Sequence, residues 1–395
     1  MNKTYTILAG TIPKTAKPMP PFSPTAITFL QALSQKLLHH GWSDSSATWA
    51  ALGFWLRSAH LKQMASTIPV LNRRLGRGLI FHIAPANMAA VFVYSLAISL
   101  LAGNGSNIVR ISPRLASQIQ PVCQILQNLW NQPDFQELGQ FNAIISYEHN
   151  QKLTDTFSLR CDCRVLWGGD EAIRQIRTSP LMPQAIELTF ADRYSIALAD
   201  SACIANCTED ELREWAHRFY NDTYEADQNA CSSPRLLFWL TENPGSYEQT
   251  QRRWWLSIAA ESRNYDLQAI KVSNKYTDAW SFAMTVPQLK SIQRFDNRLY
   301  VYTLSSLPAD ITPLSGSFGQ FFQYPIDSIS KMTPYLGKKI QTLTTIGADP
   351  AIVRQTLLAA GIMGVDRVVP VGQALEMNII WDGFNMIEML SRIMN

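Results

Sequence analysis

Residues 83–108 carry no charged side chain across 26 positions, and any fold of this chain has to bury that run. A bilayer-spanning helix needs about 20 continuous apolar residues. Here Pro85 and Asn87 interrupt the start and Gly103, Asn104, Gly105, Ser106 and Asn107 end it, leaving residues 88–102 as the helical core. That is too short to span, so the run is expected to be a strand end, a buried helix and the start of the next strand.

The flanking pattern agrees. Strands are expected over 79–83, 107–111, 141–146 and 165–167. Helices are expected over 88–102, 115–130 and 170–177, with Pro121 weakening the first turns of the second. Strand and helix alternating in this way predict an α/β fold with a parallel, doubly wound sheet. Before it, Phe29, Leu33, Leu37 and then Trp49, Leu52, Leu56 recur at helical spacing, predicting two helices split near residues 41–46. The Pro-rich and Thr-rich start, with Pro18, Pro20, Pro21 and Pro24, reads as an extended arm. After residue 194 a second region begins. Thr208-Glu209-Asp210-Glu211 is a capping box opening a helix to about residue 220, and a strand is expected over 235–240.

At 395 residues the chain exceeds the roughly 250 to 300 at which one core stops growing, so two domains are expected. Their expected limits are 1–195 with 366–395, a cofactor-binding domain with an N-terminal helical arm, and 196–365, a catalytic domain. The net charge of +3 comes from scattered Lys and Arg, which excludes a nucleic-acid surface. The first residues, MNKTYTILAG, lack the apolar core of a secretory leader, so a cytoplasmic protein with reduced cysteines is expected. Cys161, Cys163, Cys203 and Cys207 do not form matched zinc-ligand pairs, and no metal site is expected.

Cys231 stands among small and polar residues, Gln228-Asn229-Ala230-Cys231-Ser232-Ser233-Pro234, where a thiolate would be open to a substrate. On composition alone the expected reading is a buried packing cysteine. His217, on the preceding helix, is the histidine nearest to it in sequence, and a solvated or core role is expected for it. Arg110 closes an expected strand and suits a phosphate oxygen or an ordinary strand-end ion pair. Gly168-Gly169, ahead of a helix, would let a backbone approach a cofactor or simply form a tight turn.

Asn229-Ala230-Cys231-Ser232-Ser233-Pro234 resembles the nucleophile loop of the LuxC-type acyl-CoA reductases, relatives of the aldehyde dehydrogenase superfamily. Further blocks follow the family's order. His82-Ile83-Ala84-Pro85-Ala86-Asn87 resembles the segment with the oxyanion-hole asparagine. Leu101-Ala102-Gly103-Asn104 and Asn107-Ile108-Val109-Arg110-Ile111-Ser112 resemble the cofactor-binding strand. Leu166-Trp167-Gly168-Gly169-Asp170, Phe190-Ala191-Asp192-Arg193-Tyr194-Ser195, Gly364-Val365-Asp366-Arg367 and Trp381-Asp382-Gly383 are similar to later blocks. The resemblance covers about residues 45–395.

It implies an aldehyde-dehydrogenase-like fold in which Cys231 takes the acyl group of a thioester, Asn87 supports the oxyanion, and Arg110, Ser112, Gly168 and Gly169 bind cofactor. The implied reaction is reduction of an acyl thioester, fatty acyl-CoA or an acyl-carrier thioester, to an aldehyde. Arg110 in place of the usual lysine favours NADPH. An acyl-activating protein partner and a homo-oligomer are also implied. Aldehyde-oxidising relatives carry a glutamate that activates water; the matching position here is Thr189, a poor base, with Glu187 two residues away on the same strand face. Two alternatives stay open: an acyl-transfer component that accepts acyl groups on Cys231 without reduction, and a reductase of a non-fatty activated acid. Asp366, Arg367 and Asp382 are expected in local salt bridges and a helix cap.

Overall fold

The computed structural model describes residues 5–42, 46–86, 88–242 and 247–395. They form two compact units, one running up to Asp192 and including Met377–Asn395, the other Arg193–Glu376. The first unit begins with β1 (Thr6–Gly10), α1 (Pro24–His39), α2 (Ser46–Trp55), α3 (Ser58–Ser66) and β2 (Arg74–Gly76). Then come β3 (Leu79–Ile83), α4 (Val91–Leu101), β4 (Ser106–Ile111), α5 (Gln120–Trp130), α6 (Gln136–Phe141) and β5 (Asn142–Ser146). α7 (Gln151–Ser158), β6 (Cys163–Trp167), α8 (Asp170–Ile176) and β7 (Ile186–Phe190) complete its main sheet.

The sheet order is β1-β5-β4-β3-β6-β7, parallel throughout except for β1. The chain moves outward from β3 through β4 to β5 and then returns past β3 to β6. That reversal marks the crevice where open α/β sheets bind ligands, beyond the carboxyl ends of the strands. The uncharged run is explained by α4: every residue from Val91 to Leu101 is buried, packed against β3, β4 and α1. A helix enclosed on all sides has no place for a charge. No helix among the described residues is long and apolar enough to cross a membrane.

Three local expectations change. The N-terminal arm is part of the unit's own sheet, because Thr6–Gly10 pairs antiparallel with β5. Pro18 bridges to Asn104, and the amides of Met19 and Phe22 bond the carbonyls of Gly103 and Leu101. The helical region holds three helices rather than two, because Arg57 is extended at the start of α3 and stacks its guanidinium 4.1 Å from the Phe54 ring centre. The apolar spacing runs through this break and does not reveal it. α5 starts at Gln120 rather than at residue 115, with Pro121 in its first turn, where a missing N–H costs nothing.

The second unit comprises β8 (Tyr194–Asp200), α9 (Ser201–Asn206), α10 (Glu209–Thr223), β9 (Pro234–Leu240), α11 (Tyr247–Glu261) and α12 (Ala269–Thr285). It continues through β10 (Leu289–Phe295), β11 (Leu299–Leu304), β12 (Gln320–Ile326), β13 (Ile340–Ile346), α13 (Pro350–Ala360) and β14 (Arg367–Pro370). Its order is β10-β11-β12-β9-β8-β13-β14, parallel except for β10. α10 begins with the capping box at Thr208 and Glu211. The chain ends in the first unit with β15 (Ile380–Trp381), β16 (Phe384–Asn385), α14 (Met386–Met389) and β17 (Ser391–Ile393), the last pairing with β2. Asp382 and Gly383, both with positive φ, form the two-residue turn between β15 and β16. Asp382 is therefore a hairpin residue and not a helix cap.

A chain of buried polar groups crosses the first sheet. The Trp167 indole donates to Ser95 Oγ at 3.0 Å, and Ser95 lies 2.7 Å from His82 Nδ1. His82 Nε2 lies 3.0 Å from Asn107 Oδ1, and Asn107 Nδ2 donates to Asn142 Oδ1 at 2.8 Å. Asn107 Oδ1 can only accept, so the neutral ring carries its proton on Nε2. Burial lowers the His82 pKa to about 4 from 6.5. The unfolded chain therefore binds a proton between those values that the folded chain does not, and stability is lost as pH falls through this window. A loss on the order of 3 kcal/mol is expected between pH 6.5 and about 4. Urea titrations across this range should show the slope in the wild type and a flattened one in His82→Gln.

Candidate active site

Cys231 is half-buried in the loop between α10 and β9, at the amino edge of the second sheet. Its backbone is fixed by irregular strand pairing. β8 shifts register against β9 between Ser195 and Ile196, and against β13 between Ile340 and Leu343. At β9 the partner is Pro234, which has no N–H to offer. The buried Ser195 hydroxyl fills both gaps: it donates to the Cys231 carbonyl at 2.6 Å and accepts the Thr342 amide at 3.1 Å.

Before Cys231 the chain turns through Asp227 and Gln228, with φ of 54° and 59°. Such left-handed residues cost stability and persist only when held by their surroundings. The fully buried Gln228 side chain does this. Its Oε1 accepts the amides of Gly319 and Gln320, each at 3.1 Å, and its Nε2 donates to the carbonyls of Pro234 at 3.2 Å and Gln320 at 3.0 Å. After Cys231, Ser233 Oγ donates to the Asp222 carbonyl at 2.8 Å. The buried Asp222 carboxyl receives the amides of Gly372 at 2.6 Å and Ala374 at 2.9 Å, and burial raises its pKa to about 7. Ser195, Gln228 and Asp222 were not singled out from the sequence. Only the block containing Ser195 and the nearness of Gln228 to Cys231 hinted at them.

Burial disfavours the thiolate at each of the other five cysteines. Burial pushes the thiols of Cys123 and Cys161 up to about 12, and it raises those of Cys163, Cys203 and Cys207 as well. No group of three His, Cys, Asp or Glu residues among the described residues could hold a metal ion. His217 is exposed and lies 3.3 Å from Glu261. Asn87 lies outside the described residues.

In the first unit, Arg110 of β4 borders a cavity of about 130 Å³ beyond the carboxyl ends of the strands, with Ile83, Tyr147, Gln175 and Ile176. Its Nη2 donates to the Tyr147 carbonyl at 2.9 Å, its guanidinium lies 5.1 Å from that ring's centre, and its buried Nε has no hydrogen-bond partner among the described residues. Burial lowers its pKa, but an arginine stays charged. Among the described residues no carboxylate lies within salt-bridge distance of it, though Glu148 is near enough to favour its charge. Ser112 follows β4 and starts a short turn, its carbonyl accepting the Leu115 amide. A side chain at Gly169 would meet nothing within 4 Å, and one at Gly168 only Ala172 at 3.8 Å, so the space above both is open. The acidic Asp170 and Glu171 occupy the first turn of α8, which disfavours a phosphate at that helix start.

Thr189 and Glu187 face Arg177 on β7. Glu187 is committed to two arginines, Arg164 at 2.5 Å and Arg177 at 2.7 Å, and Arg177 also donates to Thr189 Oγ1 at 3.3 Å. Asp366 pairs with Arg193, 173 positions earlier in the chain, and not with a local partner, while Arg367 donates to the nearby carbonyls of Ala374 and Gln373.

The fold is that of the aldehyde dehydrogenases. The chain is similar to an NAD-dependent benzaldehyde dehydrogenase from Corynebacterium glutamicum, with a TM-score of 0.62 at 10% identity over 94% of this chain and 85% of that one. It is also similar to lactaldehyde dehydrogenase from Escherichia coli, with a TM-score of 0.61 at 10% identity over 88% and 79%. A variant of proline utilization A from Bradyrhizobium japonicum matches at 0.60 and 13% identity over 91% of this chain, which spans 40% of that longer protein. No curated protein matches in sequence. The family is settled by the sequence model for LuxC acyl-CoA reductases, which matches residues 54–393, and the chain belongs to that family.

The Ser195 hydroxyl makes a checkable contribution. Ser195→Ala leaves the Thr342 amide and the Cys231 carbonyl without this partner, at about 1 to 3 kcal/mol of stability. Thermal unfolding should show that loss, and Cys231 should react more slowly with a thiol probe as its loop loosens.

Proposed function

We propose that this protein reduces acyl thioesters, fatty acyl-CoA foremost, to aldehydes with NADPH, through an acyl-enzyme on Cys231. The observation that supports this most directly is the Cys231 loop, pinned by Ser195 and Gln228 while burial disfavours the thiolates of the other five cysteines. Family membership supplies the acyl-thioester chemistry.

The Cys231 thiolate attacks the thioester carbonyl, and the negative charge on oxygen is met by the Cys231 amide; Asn87, by the family resemblance, would supply a second donor. One such donor is typically worth about 3 to 4 kcal/mol of barrier. The carbon–sulfur bond of the thioester then breaks, the thiol leaves, and the acyl group remains on Cys231. NADPH, when bound, supplies the hydride that converts the acyl group to aldehyde and frees the cysteine. Arg110, whose buried Nε beside the cavity has no partner among the described residues, would hold the adenosine end, and the open space at Gly168 and Gly169 would let the main chain approach the cofactor away from its phosphates, which Asp170 and Glu171 disfavour there. Ser112 stands two residues beyond Arg110 and would take part in the same site. The residues present therefore fit a dinucleotide. Thr189 cannot activate water, and Glu187 is tied to Arg164 and Arg177, so the acyl-enzyme is protected from hydrolysis.

Steady-state NADPH oxidation with acyl-CoAs from short to long chain tests this. Activity is expected to rise with chain length and to fall at least about 1,000-fold in Cys231→Ala. Arg110→Ala is expected to raise the KM for NADPH about tenfold and that for NADH much less. Turnover that survives Cys231→Ala would overturn the covalent reading, and aldehyde oxidation faster than acyl-CoA reduction would reverse the direction.

A further inference from the structure

Helix α12 is mostly solvent-facing, with Ile270, Trp280 and Met284 exposed, yet its one fully buried residue is Lys275. Burying an ammonium without a carboxylate is costly and needs a compensating set of hydrogen bonds. Lys275 Nζ donates to the carbonyls of Phe318 at 2.7 Å and Arg298 at 2.8 Å, with Gly319 at 3.4 Å, and it lies 4.5 Å from the centre of the Tyr300 ring. No acidic side chain touches it among the described residues.

Two of these three carbonyls, those of Phe318 and Gly319, belong to a strained turn, and the third, that of Arg298, lies in the loop between β10 and β11. Phe318 and Gly319 have φ of 59° and 81°. A side chain at Gly319 would meet the Arg298 carbonyl at 2.3 Å and the Tyr224 hydroxyl at 2.5 Å, so only glycine fits. The other side of the same turn presents the amides of Gly319 and Gln320 to Gln228. The turn is thus clasped between an ammonium that takes its carbonyls and an amide that takes its N–H groups. One helical turn before Lys275, Lys271 Nζ donates to Asp227 Oδ1 at 2.8 Å, and the Asp227 carbonyl accepts the Phe318 amide at 3.2 Å. Both lysines of this helix face reach the two left-handed pairs that precede or brace Cys231.

We infer that Lys275 is a positioning residue for the Cys231 nucleophile: it fixes the turn at residues 318–320, whose amides set Gln228 and hence the loop that carries the cysteine. This rests on the proposed role of Cys231. Burial lowers the Lys275 pKa to about 7, partly offset by Asp296. The ammonium offers three N–H donors and the neutral amine two, so the clasp weakens as pH rises through this value. The titratable groups packed around the cluster are Asp296, Tyr300, Tyr224, Asp227, Tyr265, Lys271 and Asp278; Asp222, which braces the far side of the Cys231 loop, also has a pKa of about 7.

The test uses the full chain and three variants: Lys275→Met, of similar volume, Lys271→Met, and Cys231→Ala. The readouts are the rate of Cys231 alkylation by iodoacetamide, followed on its peptide and divided by the thiolate fraction, and the kcat and KM for an acyl-CoA, each from about pH 6 to about 9. Wild type is expected to lose alkylation rate per thiolate above pH about 7. Lys275→Met is expected to lower that rate and kcat by about tenfold, with KM changed less than about threefold, and to abolish the break near neutral pH. Lys271→Met should fall between the two. A Lys275→Met protein within about twofold of wild type at all pH values overturns the inference. So does a break that survives in it, which would belong to Asp222. If Lys275→Met does not fold, the wild-type profile decides, and a flat rate per thiolate through neutral pH overturns the inference. Turnover retained by Cys231→Ala, by contrast, removes the nucleophile reading itself.

Discussion

The placement of Cys231 depends on one fully buried amide. Gln228 satisfies all four of its side-chain hydrogen-bonding sites with backbone groups from Gly319, Gln320 and Pro234, and so ties the distant turn at Gly319 and Gln320 and the start of β9 to one loop. A buried amide that lost half of these partners would cost more than an apolar residue in the same place. The site is all or nothing for that reason: the left-handed backbone at Asp227 and Gln228, the turn at Phe318 and Gly319, and the Ser195 bridge are mutually dependent. The proposed nucleophile is held in place by backbone geometry.

Both sheets use buried polar side chains where regular pairing fails or strands must be cross-linked. In the first, Trp167, Ser95, His82, Asn107 and Asn142 form a continuous chain beneath α4. In the second, Ser195 repairs a double register shift that brings the Cys231 carbonyl against β8. Such networks specify one register in sheets whose hydrophobic strands would otherwise tolerate slippage. Lys275 extends the same logic to a charged group, at an energetic cost that makes sense only if the turn it holds matters.

Much of this was legible in the sequence. The strand at Leu79–Ile83, the capping box at Thr208 and the opening of the second region at Tyr194 follow from local chemistry, because a short, nearly unbroken apolar run beside glycine or a Thr with Glu three residues on has few other solutions. The family blocks singled out Cys231 and Arg110, the residues on which the proposed function rests. Hidden were the features that depend on contacts far apart in sequence. The first residues gave no sign of an edge strand, because their partner β5 lies over 130 positions later. The break at Arg57 left the apolar spacing intact. Gln228 and Lys275 look like surface residues by type, and only their partners near residues 298–320 reveal them.

The central claim is that Cys231 carries the acyl group and that reduction discharges it. Its most direct test is intact-protein and peptide mass spectrometry after mixing the protein with a long-chain acyl-CoA, first without and then with NADPH. A mass gain of one acyl group on Cys231, stable without cofactor and lost as aldehyde when NADPH is added, is the predicted result. No adduct on Cys231, or an adduct that NADPH leaves in place while a thiol or water removes it, would contradict the claim.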